Sequence, residues 1–305
     1  MRISDFGAPL MVAWQFTREC DLACLHCCTD SSPAGRMPDE LNPEEALRLA
    51  GEIAAAEVPY VLFGGGEPAL APHFFSVAET LGKAGVYLKV ETNGQRFGAE
   101  AVARLARLPV RSIQVSLDGA GQESYGKLRP KASWAAAVAA CRRIRDAGLP
   151  LEISFAPTRF NIGEAEAVMD LALELGAFRF NTGALMCLGR AARFWDSLEP
   201  TSQDYGQFLK LLGRKSAELA GRLELCFQPF SLREAARAWL QEPPGTLMVR
   251  PDGKVPVAAA LALICADVRR DGLAGAWDFY REACASAEVG RAMSALICKD
   301  LPVIV

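Results

Sequence analysis

Six short runs rich in apolar and β-branched residues recur along the chain, at 11–16, 60–63, 86–91, 112–117, 151–156 and 178–184, with helical segments between them. No other feature constrains the fold as much. Each run is too short for a helix and has the make-up of a buried strand. Strand and helix units in succession imply a parallel sheet with right-handed crossovers, either open or a partial barrel. The intervening helices are well punctuated. Asn42 is placed to cap, Pro43 suits the first helical position, and Glu45 completes a capping box. Gly85, Gly148 and Gly176 are placed to stop three of the helices. After a helix at 202–219 the rhythm fails. The expectation is a main unit at 1–225 and a small α+β region at 226–305, marked by the turns Pro243-Pro244-Gly245 and Pro251-Asp252-Gly253.

The polar, glycine-rich motifs follow the strands rather than the helices. CDLACLHC (20–27) comes after the first, GGGEP (64–68) after the second, TNG (92–94) after the third, SLDG (116–119) after the fourth and Gly189-Arg190 after the sixth. In parallel α/β proteins the carboxyl ends of the strands form the functional rim, so these stretches should converge on one mouth.

Charge and hydropathy exclude several classes. Lys plus Arg number 33 against 36 Asp plus Glu, a net charge of -3, so there is no basic excess to hold a phosphate backbone and nucleic acid is not an expected partner. The longest nearly apolar run, 255–266, contains Pro256 and falls short of the roughly 20 residues that span a bilayer. Residues 11–16 lead into Thr17, Arg18 and Glu19 with no small-residue cleavage pattern, so no signal peptide and a cytoplasmic location are expected. In that compartment ten cysteines do not form a disulfide framework.

Four of those cysteines fall between Cys20 and Cys28. Cys20, Cys24 and Cys27, spaced Cys-x3-Cys-x2-Cys, can hold three corners of a cubane iron–sulfur cluster and leave the fourth iron open to a ligand. Two other readings of the residues stand beside this one. A helix face could bury three small thiols, or a zinc ion could take His26 as a further ligand.

With CDLACLHC and GGGEP in this order the chain resembles the radical S-adenosylmethionine (radical SAM) superfamily. The closer likeness is to peptide-modifying members with a SPASM or twitch extension, of the mycofactocin maturase type. It is carried by CLHCCTDSS, YVLFGGGEP, KVETNG, IQVSLDGA, Arg129 in KLRP, TRFN (158–161) and LGRAARFWDSLEPT (188–201). The resemblance implies a partial (β/α)6 barrel. It implies one 4Fe-4S cluster on Cys20, Cys24 and Cys27, with the amino and carboxylate groups of S-adenosylmethionine on the open iron. Gly65, Gly66 and Glu67 would receive the cofactor's amino group, Ser116 and Asp118 its ribose or methionine, and Arg129 its carboxylate. Thr92 and Asn93 would shape the cofactor and substrate side of the mouth. An electron from a donor such as flavodoxin or ferredoxin would break the cofactor to a 5'-deoxyadenosyl radical, which takes a substrate hydrogen.

Of the neighbouring residues, Pro68 is read as fixing a turn, His73 as a surface residue at a helix start, and Cys28 as a small packing residue. In the C-terminal region Pro243 and Ala258 stand near the places where auxiliary-cluster members carry cysteines, so this region is read as a degenerate SPASM/twitch-like extension without the metal. The implied substrate is a ribosomally made peptide, to be crosslinked, decarboxylated or epimerised. The alternative is epimerisation, dehydrogenation or decarboxylation of a small sugar, aminoglycoside or nucleoside. A non-catalytic iron–sulfur sensor is a third reading, in which GGGEP and SLDG would have no purpose. For an epimerase, Cys187 in ALMCLGR is the expected hydrogen donor, because it follows the sixth strand.

Overall fold

The computed structural model describes residues 3–227 and 232–298, with the side chains of 297 and 298 excluded. Strands β1 (Met11–Thr17), β2 (Tyr60–Gly65), β3 (Tyr87–Thr92), β4 (Val110–Ser116), β5 (Leu151–Phe155) and β6 (Arg179–Thr182) match the six expected runs. Helices α1 (Pro43–Ala55), α2 (Phe74–Lys83), α3 (Ala99–Leu105), α4 (Gln122–Leu128), α5 (Trp134–Asp146) and α6 (Ala165–Glu174) lie between or after them. Asn42 caps α1 in a full capping box with Glu45. Gly85, Gly148 and Gly176 follow the C-caps of α2, α5 and α6 with positive φ, a conformation that glycine adopts without strain.

Two further strands complete the sheet. β7 (Glu224–Phe227) pairs with β6 in parallel, and β8 (Thr246–Val249) pairs in parallel with β1, giving the order β7-β6-β5-β4-β3-β2-β1-β8. The expected boundary at 225/226 therefore falls inside β7. The α+β region is also less separate than expected, for a physical reason. Without β8, the N–H and C=O groups along one edge of β1 would lack strand partners. Three more helices precede that return: α7 (Gly189–Arg193), α8 (Trp195–Leu198) and α9 (Ser202–Glu218), with α10 (Leu232–Gln241) leading into β8. A two-stranded antiparallel ribbon, β9 (Lys254–Pro256) with β10 (Ile264–Asp267), and helices α11 (Val268–Ala285) and α12 (Ala287–Cys298) close the chain. Val255, Ala266, Leu273 and Trp277 belong to the same apolar core as Val12 and Trp14 of β1, and the Trp277 indole donates to the Phe6 carbonyl at 3.0 Å. Trp239, Val257, Val289 and Met293 form a small second core.

Strand side chains alternate between two faces. Trp14, Phe63, Val90, Val115 and Ile153 are buried in the main core. On β3, β4, β5 and β6 alternate positions carry polar side chains, several of them linked in one network. Glu152 accepts from Lys89 Nζ at 2.7 Å and from Asn181 Nδ2 at 2.6 Å, Asn181 also donates to Gln114, and Gln114 donates to Glu91 at 3.3 Å. Among the described residues no helix is long and apolar enough to cross a membrane.

Candidate active site

Cys20, Cys24 and Cys27 lie on the loop that leaves β1, and each sulfur is met by hydrogen-bond donors. Leu22 N–H and Asn93 Nδ2 approach Cys20 Sγ at 3.5 and 3.6 Å. Arg129 Nη1 approaches Cys24 Sγ at 3.5 Å. Ser31 N–H and the Thr29 hydroxyl lie 3.3 Å from Cys27 Sγ. The loop is held from two sides. Arg190, on α7, donates to the carbonyls of Cys24 and Ser31, both at 2.9 Å, and pairs with Asp30. Gly189 has φ +55° and packs so closely that a Cβ there would lie 2.5 Å from the Cys28 carbonyl.

The loop after β2 presses on the same stretch from the other side. Gly66 N–H donates to the Thr17 carbonyl at 2.7 Å, and a Cβ on Gly66 would meet the Glu19 carbonyl at 2.0 Å. Gly65, at φ +108°, has equally little room, 2.7 Å from the Thr17 carbonyl. Glu67 is fully buried, and its carboxylate accepts from the Thr92 hydroxyl at 2.8 Å and from Asn93 N–H at 2.9 Å. Burial pushes its carboxyl up to about 7. Asn93 thus links Glu67 to Cys20.

Asp118 stands at the centre of a buried charge group. Its Oδ2 faces Arg129 Nε at 2.7 Å, Arg129 Nη2 at 2.6 Å and His26 Nε2 at 3.0 Å, while Oδ1 accepts from Ala156 N–H at 2.8 Å. The neighbouring charges hold this carboxyl well below the usual carboxylate range, outweighing burial, which acts the other way. The resemblance assigns Arg129 to the cofactor carboxylate, and in the structure its Nε–Nη2 edge is occupied by Asp118. Asn161 of the TRFN segment secures the group from outside by donating to the carbonyls of Asp118 and Ala156, each at 3.0 Å.

Ser116 ends β4 and is half-buried. Cys187 is buried between β6 and α7, and its thiol is raised to about 11 by burial, then by Glu199 and Asp196. Cys28 is exposed rather than packed. His73 is not on the surface: it is 7% exposed, with its ring 4.9 Å from that of Phe16. Pro68 opens a short 3-10 turn. Sequence reasoning missed His26 and Asn161 as partners of Asp118. The signal for His26 was its place between two of the clustered cysteines.

The donor set fits an iron–sulfur cluster better than a zinc ion. His26 Nε2 is turned to Asp118 and Arg129, away from metal duty. Among the described residues no three His, Cys, Asp or Glu side chains gather about one ion position. Burial pushes Cys20 up to about 12 and raises Cys24 also, so a nearby cation is needed to hold them as thiolates. His26 Nδ1 is buried without a hydrogen-bond partner, an orphaned polar atom beside the cysteines.

The three thiols stand at the carboxyl ends of a mostly parallel α/β sheet. The model of the Radical SAM superfamily matches residues 14–172, and the chain belongs to that superfamily. It is 36% identical over 196 residues to the mycofactocin maturase MftC of Mycobacterium ulcerans (strain Agy99), covering 64% of this chain and 52% of that protein. It is 32% identical over 211 residues to an AdoMet-dependent heme synthase of Methanosarcina barkeri, covering 68% of this chain and 58% of that one. The chain thus spans little more than half the length of these curated relatives. Its fold is similar to that of Streptococcus suis SuiB bound to precursor peptide SuiA, with TM-score 0.75 at 12% identity, covering 98% of this chain and 75% of that one.

Proposed function

We propose that this protein cleaves S-adenosylmethionine reductively at one 4Fe-4S cluster and abstracts a hydrogen atom from a ribosomally made peptide, in natural-product or cofactor biosynthesis. The observation that carries this reading is the cysteine loop itself: three thiols, each met by hydrogen-bond donors, at the carboxyl ends of a parallel sheet. When bound, cluster and cofactor supply the radical chemistry. The chain's own residues bind, orient and exclude water. Cys20, Cys24 and Cys27 would hold the cluster, and Gly65 and Gly66 allow the backbone to approach the cofactor's amino group. Glu67 would add a carboxylate for that group, with Thr92 and Asn93 setting its position. Ser116, at the end of β4, would meet a ribose hydroxyl. The peptide substrate is supported by the similarity to the mycofactocin maturase and by the likeness in fold to SuiB, itself solved bound to its precursor peptide SuiA. A one-electron donor such as flavodoxin or ferredoxin and a cytoplasmic setting belong to the same reading.

The test is anaerobic reconstitution followed by a screen for 5'-deoxyadenosine release. Peptides and small metabolites encoded or made beside the gene serve as candidates. Release stimulated by a peptide supports the reading. Release stimulated only by a sugar, nucleoside or tetrapyrrole, the last in line with the heme synthase similarity, replaces the peptide by a small molecule. An assembled cluster with no release would leave the iron–sulfur sensor, and no cluster at all would overturn both readings.

A further inference from the structure

Five donors were placed on the three cluster sulfurs above, and of these only Arg129 carries a full charge. Its guanidinium has no freedom to do otherwise. Nε and Nη2 are held by Asp118 at 2.7 and 2.6 Å, and the planar fork then directs Nη1 to Cys24 Sγ at 3.5 Å. Arg129 is 8% exposed and Asp118 1%, so water screens the charge weakly. Asp118 is in turn fixed by His26 and by Ala156 N–H, and the Asp118 carbonyl by Asn161.

We propose that Arg129, locked by Asp118, sets the reduction potential of the cluster through the Cys24 sulfur, and that it is not the clamp for the cofactor carboxylate. The inference rests on the cluster assignment above. Hydrogen bonds to cluster sulfurs are one of the protein's levers on potential. One-electron reduction adds negative charge to the cluster and its thiolates, and a fixed guanidinium stabilises that added charge more than it stabilises the oxidised form. A donor outside the protein then delivers its electron more readily. No bond is made or broken in this step.

The experiment uses the full chain, reconstituted anaerobically, in four forms: wild type, Arg129→Lys, Arg129→Gln and the double variant Asp118→Asn/Arg129→Gln. Iron and sulfide are measured first, so that failure of the wild type to assemble a cluster counts against the cluster assignment itself. Midpoint potentials are then taken by redox titration followed by electron paramagnetic resonance, without S-adenosylmethionine. The double variant is decisive, because it removes one positive and one negative charge together. A change in its potential reports the loss of the guanidinium at Cys24, the positive end of the pair nearest the sulfur, with the net charge of the site unchanged. Expected is an intact cluster whose equilibrium constant for reduction falls about tenfold, a shift of about 59 mV to more negative potential. Arg129→Lys keeps the charge on Asp118 but loses the planar fork, and should lie between wild type and the double variant; it carries the comparison if the double variant does not fold. Potentials equal to wild type in the variants that fold, with loss of S-adenosylmethionine binding in titration, would overturn the proposal in favour of the carboxylate clamp. Equal potentials with unchanged binding would overturn both roles.

Discussion

Glu67 and Asn93 are joined by a hydrogen bond of 2.9 Å from the Asn93 backbone N–H to Glu67 Oε2, at a carboxylate with no solvent exposure. The loop after β2 is thereby tied to the loop after β3, and through Asn93 Nδ2 to Cys20. The GGGEP carboxylate thus has a structural duty whether or not it also meets a cofactor.

Glu67→Gln should therefore cost stability even in cluster-free protein. An amide has one accepting oxygen, and its NH2 would face a donor, a loss of about 1–3 kcal/mol. The pH dependence has a definite sign. Burial lifts the folded pKa from 4.5 to about 7, so the contribution of this group is full below the unfolded value and is lost as pH rises through about 7. This group alone should make the cluster-free wild type less stable at about pH 8 than at about pH 5.5, by at most about 3 kcal/mol. Thermal unfolding at both pH values checks it: the difference should shrink in Glu67→Gln, and an identical pH response in the two proteins would refute the assignment.

Gly66→Ala tests the contact between the two loops. Its Cβ would overlap a backbone carbonyl, that of Glu19 at 2.0 Å, so no side chain can swing away to relieve it. We expect a folded protein that takes up several-fold less iron than wild type on reconstitution. Gly51→Ala, in the middle of α1 with nothing within 4 Å, is the matched control, and should raise stability by about 0.5–1 kcal/mol. Equal iron content in the two variants would show that the close approach is dispensable.

Asp118→Asn should be among the most damaging single changes at the site. It strands the Arg129 guanidinium, 8% exposed, without its counter-charge, at a cost of about 3–5 kcal/mol. Because the folded carboxyl lies below its ordinary value, this stabilisation is present above the unfolded pKa of 3.8 and is lost as pH falls through the depressed one. Chemical denaturation near neutral pH should show the loss, and Asp118→Asn/Arg129→Gln should recover part of it. A double variant no more stable than Asp118→Asn would mean that the pair is not coupled.

How far the sequence shows this site can be judged from these residues. Strand positions are legible because short runs rich in apolar and β-branched residues, holding Val12, Trp14, Val61, Phe63, Val90 and Val115, recur between helical segments. β7 and β8, each only four residues long, are not. The strands' second face was also missed. Lys89, Glu91, Gln114 and Glu152 lie inside the expected runs, and their side chains meet in one polar network on the face opposite the apolar core. The convergence of CDLACLHC, GGGEP, TNG and SLDG followed from strand direction alone. What each side chain bonds to did not, because Asp118 and His26 are 92 positions apart in sequence and meet only through the fold.

One cluster should be present. Cys265 donates to the Val255 carbonyl at 3.3 Å, and Cys284 packs against the small second core, so neither stands with the three cysteines of the β1 loop. Iron and sulfide analysis should give about four of each per chain. Replacing Cys20, Cys24 and Cys27 together by alanine should abolish the cluster spectrum. A content near eight, or a surviving cluster in the triple variant, would place metal elsewhere.

The last prediction concerns hydrogen return in an epimerising reaction. A radical epimerase must deliver a hydrogen atom to the opposite face of the substrate carbon, and a thiol gives one up readily. The Cys187 S–H bond would break as the new C–H bond forms, and the resulting thiyl radical would need one electron from the external donor and a proton to return. Its thiol, raised to about 11, is protonated at neutral pH, as the role requires. Burial at 9% exposure is the argument against it, and Cys28, exposed beside a cluster ligand, is the rival. Given a substrate, Cys187→Ala should still release 5'-deoxyadenosine yet yield no inverted product carrying deuterium from heavy water. Normal inversion in Cys187→Ala together with its loss in Cys28→Ala would move the donor to the residue after the third cluster cysteine.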